Sequence, residues 1–290
     1  GSLPKDFFFG GEITMEANPD SVSPAYLKTV HSIGINRLSF GAQSCVNREL
    51  QALGRRHDAH QIEEAVIWSK AAGFKNLSLD VMIGIPYQTQ KSLDETLQFM
   101  TNLSPTHLSC YLLKIEENTP FYRQHVENLC ANEDQTADFY LHTIDFLAAH
   151  GYEQYEISNF CRQGMESRHN LKYWRCMEYL GFGVAAHSFY RGKRFFHTNS
   201  LSDYLDSPKI EQVADGSGGG IAEEILLRLR LTEGFDLWRL KNENQRENMV
   251  QKSRRYCENG LMRLKNDNLS FTPQGFLLSN PILSELLADL

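Results

Sequence analysis

The sequence predicts an α/β protein: a β/α barrel-type first domain carrying a smaller, helical and winged-helix-like second domain. Three observations predict it. Through the first half of the chain, strand-like apolar runs alternate with amphipathic stretches that carry helix start and stop signals, and this spacing argues for parallel strands joined by right-handed crossovers. No Gly-x-Gly-x-x-Gly turn follows the first strand and no GxxxxGK[ST] loop occurs anywhere, which favours a barrel over a nucleotide-binding open sheet. Beyond about residue 160 the alternation gives way to an aromatic and histidine-rich stretch, then to helices and a hairpin. The expected domains are therefore residues 1–159 and 160–290.

Four strand-like runs lie early in the chain: 12–19 (EITMEANP), 37–44 (RLSFGAQS), 53–57 (LGRRH) and 76–86 (NLSLDVMIGIP). Between the first two, Ser23-Pro24 supplies a hydroxyl cap with proline at the first helical position, Leu27, Val30 and Ile33 share a face, and Gly34 stops the helix. Asp58 with Gln61 forms a capping-box pattern before Ile62, Ala65, Val66 and Ala72, and Gly73 ends that helix. Ser92 with Glu95 repeats the pattern ahead of Leu93, Leu97 and Met100. Pro105 precedes the apolar run 107–113, a long helix is expected over 133–150 with Gly151 as its stop, and 152–158 reads as a fifth strand. Farther on, 215–220 (DGSGGG) reads as a flexible linker. Residues 222–231 and 245–258 read as helices, and 261–264 with 269–271 as a hairpin about Asn266-Asp267-Asn268. Pro273 opens a last helix.

Composition narrows the function classes. A chain of 290 residues with 41% hydrophobic and 22% charged residues has enough apolar content for a sizeable core, so disorder is not expected. A net charge of -7 gives no broad attraction to nucleic acid or anionic membranes. Neither a membrane-spanning apolar run nor an export signal is present, so a cytoplasmic location is expected. Cys45, Cys110, Cys130, Cys161, Cys176 and Cys257 are scattered without a Cys-x-x-Cys pair, and read as reduced, mostly packed thiols.

The strand layout sets Glu16, Gln43, Arg55 and Asp80 near strand ends or just beyond them. In a β/α barrel the carboxyl ends of the strands share one mouth, so carboxylates, an amide and a guanidinium placed there can converge on one polar small molecule. Each alone has a plainer reading, as a polar side chain bonded to loop backbone.

EITMEANP, GINRLSFGAQS, LGRRH, LDVMIGIPYQT, YEISNF, ESRHNLKYW and YLGFGVAAHSF together resemble the oxygen-independent coproporphyrinogen oxidase-like branch of the radical S-adenosylmethionine (SAM) superfamily, from Phe7 to the carboxyl end. Within it, HNLKYW (His169, Asn170, Leu171, Lys172, Tyr173 and Trp174) matches the HNxxYW signature of haem chaperones. The resemblance implies an incomplete (β/α) barrel with a carboxyl-terminal domain, and three cofactors: SAM, a [4Fe-4S] cluster and haem. It implies SAM contacts at Glu16, Gln43, Arg55 and Asp80, with Gly10 and Gly11 beside the methionine amino group. It further implies haem contacts at Asn170, Tyr173 and Trp174, with His169 as the iron ligand. Without it, a histidine in an aromatic segment is more often a packing residue. Cys161 and Cys176 read as packing thiols, His187 as a core histidine, and Arg168 and Lys172 as partners for haem propionates or as solvated charges.

Delivery of haem to haem-requiring membrane or respiratory proteins is the function implied. The alternative within the branch is an oxygen-independent coproporphyrinogen III oxidase. One departure bears on both readings: the family holds its cluster through Cys-x-x-x-Cys-x-x-Cys, and the sequence contains no such triad. The family's third glycine, Thr-Pro and following helix are also missing between Gly11 and Glu12, and residues 217–220 read as a further candidate junction.

Overall fold

The computed structural model describes residues 10–206 and 212–288, which divide into two compact units, Gly1–Glu166 and Ser167–Leu290. The division falls later than the expected one because residues 159–161 still pair into the first unit's sheet.

In the first unit the elements run β1 (Thr14–Ala17), α1 (Pro24–Ser32), β2 (Arg37–Gln43), α2 (Asn47–Ala52), α3 (Ala59–Ala71), β3 (Asn76–Ile83), α4 (Gln90–Asn102), β4 (His107–Leu112), α5 (Pro120–Arg123), α6 (Glu133–Ala149), β5 (Glu153–Gln154) and β6 (Asn159–Cys161). They build a six-stranded sheet in the order β1-β2-β3-β4-β6-β5, with β1 to β4 parallel. β6 runs antiparallel to both β4 and β5. The sheet is open, so the barrel is incomplete. The fifth strand expected over 152–158 is instead the β5/β6 hairpin, whose connection at 155–158 is far too short for a parallel crossover.

Two local readings are corrected. Residues 53–57 are not a strand: Leu53 ends α2, and Gly54 sits at φ +69°, which turns the chain away from extension. Helix α4 begins a turn earlier than expected, because Thr89 accepts from the Ser92 backbone N–H while the Ser92 hydroxyl accepts from the Thr89 N–H. The Asp58–Gln61 box at α3 and the Ser23 cap of α1 stand where the sequence places them.

Side chains alternate across the strands, and the two faces of this sheet differ sharply. Leu38, Phe40, Ala42, Leu77, Leu79, Val81, Ile83, Leu108 and Cys110 form one core with Leu27 and Val30 of α1, Ile62 and Val66 of α3, Leu93, Leu97 and Met100 of α4, and Phe139 of α6. The opposite face carries Arg37, Ser39, Ser78, Asp80, His107 and Ser109. A parallel sheet covered on both sides ordinarily reads as continuous apolar runs. A buried polar face is costly unless its groups find partners.

The second unit runs α7 (Arg168–Trp174), β7 (His187–Tyr190), β8 (Lys193–His197), α8 (Leu201–Asp206), β9 (Gln212–Ser217), α9 (Ile221–Arg228), β10 (Phe235–Asp236), α10 (Glu243–Glu258), β11 (Met262–Lys265), β12 (Asn268–Phe271), α11 (Pro273–Leu277) and α12 (Ser279–Leu287). An antiparallel sheet β7-β8-β9 forms where no strand was expected. Residues 212–217 are a strand rather than a linker. The glycines after it are a packing requirement, since a Cβ on Gly218 or Gly219 would come within 2.8 or 2.7 Å of the Phe189 ring. Downstream, β10-β12-β11 with α9 and α10 has winged-helix connectivity. Its hairpin turns on Asn266 and Asp267, at φ +51° and +59°, the double left-handed pair a two-residue hairpin loop needs.

Candidate functional site

On the polar face of the first sheet, register places Glu16 beside Ser39, Ser39 beside Ser78 and Ser78 beside His107. Asp80 lies beside Ser109, which in turn lies beside Asn159. These are two adjacent rungs of one surface. Ser39 Oγ donates to Asp80 Oδ1 at 3.2 Å, and His107 bonds Ser78 through Nδ1 and Tyr155 through Nε2, each at 2.8 Å.

Burial drives the electrostatics here. It pushes the Asp80 carboxyl up to about 6 against hydrogen bonds from Ser109 and Ser39; the Glu16 charge pushes the same way and the Arg37 charge opposes it. Burial, helped by Arg37, holds His107 down at about 3, so its imidazole is neutral. Tyr111 is pushed up to about 12 by burial and by the Asp80 charge.

At the carboxyl end of β2 a second group gathers around Gly41. A Cβ there would lie 2.9 Å from Gln43 Nε2, 3.7 Å from Asn18 Oδ1 and 3.8 Å from Arg55 Nη1, so the polar ends of three side chains converge on this glycine. Arg55 Nη1 donates to Asn18 Oδ1 at 3.2 Å. Gln43 is buried at φ +68°, a left-handed backbone that costs a non-glycine residue about 1 kcal/mol or more and that clusters at functional sites.

The structure thus links the four residues in two pairs: Glu16 of β1 with Asp80 of β3 through charge, and Gln43 at the end of β2 with Arg55 of the loop after α2 around Gly41. Asp80 is interior to β3 rather than at its end. Gly10 and Gly11 are placed elsewhere: Asn36, which precedes β2, donates to the Gly11 carbonyl at 2.7 Å and accepts from Ile13 N–H at 2.8 Å, so both glycines sit at the amino-terminal edge of the sheet. Gly11 leads straight into β1, and a strand's entry lies at the opposite end from its exit.

Arg37, Ser39, His107, Ser109, Tyr111 and Asn18 were not anticipated. A signal existed: β2, β3 and β4 each open with polar-Leu-Ser, in Arg37-Leu38-Ser39, Asn76-Leu77-Ser78 and His107-Leu108-Ser109. That alternation marks a polar face in strands that parallel pairing would otherwise make apolar throughout.

In the second unit, α7 presents His169 and Tyr173 on one face and Asn170 and Trp174 on the next, each pair one turn apart. His169 Nε2 bonds Tyr173 Oη at 2.6 Å with the rings edge-on, and Tyr173 stands edge-on to Tyr179 at 4.5 Å. Just beyond the helix, Met177, Leu180 and Phe182 are exposed, Phe182 by 83%. His187 is not a core histidine: it is exposed, stacked on Phe196 at 5.0 Å and 3.7 Å from Asp215. Its place on the outward side of β7 overrides the small residues beside it in sequence.

The six cysteines are free, and burial raises every one of their thiols, Cys161 to about 12. Cluster ligands are thiolates. Among the described residues, no group of three His, Cys, Asp or Glu side chains can hold a metal ion. The residues present therefore do not fit a four-iron cluster, whereas the acceptors and donors around Gly41 and Asp80 fit a polar ligand bearing hydroxyl, ammonium and carboxylate groups.

Residues 5–100 match the model of the radical SAM superfamily, and residues 221–278 that of the HemN C-terminal domain. The fold and the polar sheet face thus define a protein built on a radical SAM scaffold. The chain is 34% identical to the haem chaperone HemW of Bacillus subtilis over 96% of its own length and 76% of that protein's. It is 30% identical to HemW of Lactococcus lactis over the same shares. Its fold is also that of coproporphyrinogen III oxidase (HemN) from Escherichia coli, at a TM-score of 0.81 and 20% identity, covering 97% of this chain and 70% of that one. The chain belongs to the HemW haem chaperone family.

Proposed function

We propose that this chain binds haem on its second unit and passes it to acceptor proteins, with the first unit's polar sheet face binding SAM. The observation that carries the reading is α7, where an exposed His169 is oriented by Tyr173 and followed by the exposed apolar side chains of Met177, Leu180 and Phe182. An imidazole can ligate haem iron axially, a ring-nitrogen partner of the Tyr173 kind fixes a ligating histidine's orientation, and exposed apolar side chains suit a porphyrin face. Exposed Lys172, one turn from Arg168, suits the propionates.

In the first unit, Glu16 and Asp80 would accept from the ribose hydroxyls and the ammonium of SAM, Gln43 would serve as donor or acceptor, and Arg55 would fork onto its carboxylate. When bound beside a reduced cluster, SAM is a source of radicals; this chain's own contribution is to bind and orient it. The acceptors we infer are haem-requiring membrane or respiratory proteins, reached from the cytoplasm. Among the described residues no helix is long and apolar enough to cross a membrane.

The test is a haem titration followed in the Soret region. The native chain is expected to give a saturable band, and His169→Ala a shifted band with affinity lower by tenfold or more, the equivalent of at least about 1.4 kcal/mol. An unchanged spectrum and affinity would remove His169 from the site.

A further inference from the structure

The hairpin that closes the first unit's sheet carries a polar side chain without a partner. Asn159, the first residue of β6, is 3% exposed, and its Oδ1 accepts no hydrogen bond among the described residues. A buried amide oxygen that has left water without gaining a donor is costly, and such orphans are few in folded proteins.

Register fixes where this side chain stands. Asn159 pairs directly with Ser109, and Ser109 with Asp80. Residues directly opposite one another project to the same side of a sheet, so Asn159 lies on the polar face, two strand spacings or roughly 10 Å from Asp80. Its backbone is held in place: Cys110 N–H donates to the Ser158 carbonyl at 2.7 Å, and Tyr155 N–H to the Asn159 carbonyl at 3.1 Å. The hydroxyls beside it on β4 are engaged, Ser109 with the Asp80 carboxylate and Tyr111 with Ser109. The amide oxygen lacks a donor, and no described residue supplies one.

We propose that Asn159 is a specificity-determining residue of the SAM site, its Oδ1 accepting from the exocyclic amine of the adenine. The proposal rests on the SAM reading above. In that reading Arg55 and Gln43, around the end of β2, serve the carboxylate end of the ligand, and Glu16 and Asp80 serve the ribose hydroxyls and the ammonium. The purine is the part left without a polar partner, and its amine is a donor. Strand order supplies the direction, since β2, β3, β4 and β6 stand side by side in that sequence. With the carboxylate at β2 and the ribose at β3, the base extends toward β4 and β6, where Asn159 stands about a nucleoside's length from Asp80. Tyr111, two residues beyond Ser109 on the same face and 41% exposed, offers a ring for the purine to pack against.

The test pairs a change in the protein with a change in the ligand. Calorimetry on the full chain would compare SAM with its analogue in which unsubstituted purine replaces adenine, so that only the amine is lost. The native chain is expected to prefer SAM by roughly fivefold, the worth of one net hydrogen bond. Asn159→Leu should bind the two ligands about equally, and Asn159→Asp, which keeps an acceptor, should retain the preference. A loss of structure alone would weaken both ligands together and leave their ratio unmoved.

No preference in the native chain, or the same preference in Asn159→Leu, overturns the role of Asn159 while leaving SAM binding intact. Failure of the native chain to bind either ligand overturns the SAM reading itself. Should Asn159→Leu not fold, the native chain still decides: the side-chain amide resonance of Asn159, assigned by its loss in Asn159→Asp, should shift with SAM and not with the amine-free analogue, and equal shifts would overturn the contact.

Discussion

Asp80, in the site we propose for SAM, shows at the scale of one residue how a buried carboxylate opposes stability. Its carboxyl is raised from an ordinary 3.8 to about 6, so folding favours the protonated form. That contribution is fully present below about pH 4 and is lost as the pH rises through about 6, a difference of about 3 kcal/mol at most. At neutral pH the chain therefore carries an ionised group that its interior disfavours. Asp80→Asn should raise resistance to urea at pH 7.5 and leave it nearly unchanged at pH 4, while weakening SAM binding; equal effects at the two pH values would contradict the buried-carboxylate account. His169 is the contrasting case. In sequence only the HNxxYW match favours a ligand role over packing; the bond to Tyr173 and the exposed position of the ring show a side chain presented rather than stored.

Elements in this chain are held by local signals and by close packing, and the two differ in size. The Asp58–Gln61 box satisfies two backbone donors at the start of α3 through bonds of 3.0 and 3.1 Å. Asp58→Ala should cost about 1 kcal/mol, read as a small fall in the urea midpoint with an unchanged slope. Gly275, in the first turn of α11, is of another kind: a Cβ there would lie 1.8 Å from the Leu261 carbonyl oxygen. Gly275→Ala must displace backbone that pairs with Thr272, and should cost about 3 kcal/mol, within the range of overpacked cores. A smaller loss for Gly275→Ala than for Asp58→Ala would invert this ranking. Caps and turns such as Ser23-Pro24 and Asn266-Asp267 were legible because each satisfies its own backbone within four residues. The β5/β6 hairpin and the β7-β8-β9 sheet were not, because short strands take their hydrogen bonds from partners distant in sequence, as Asn159 does from Ser109.

At the scale of the whole molecule, two architectures carry two sets of chemistry: an open α/β sheet with one polar face, and an α+β unit ending in winged-helix connectivity. Family membership places a four-iron cluster in the chain's relatives by descent, yet the thiols present here are scattered and held protonated. Anaerobic reconstitution with iron and sulfide should leave this chain without stoichiometric cluster and without conversion of coproporphyrinogen III, while haem binding persists. Four irons per chain, or catalytic formation of protoporphyrinogen, would return the oxidase reading to the front.

The sequence by itself determined the strand and helix alternation of the first unit and the family resemblance carried by motifs such as HNxxYW, since periodicity, caps and short motifs are written in neighbouring residues. Tertiary structure alone decided that the sheet stays open, that Gly10 and Gly11 stand apart from Gln43 and Arg55, and that Ser39 and Ser109 flank Asp80. Register and burial arise between strands rather than along them: a charge reads the same in sequence at a wet surface or in a dry interior, and only packing tells the two apart.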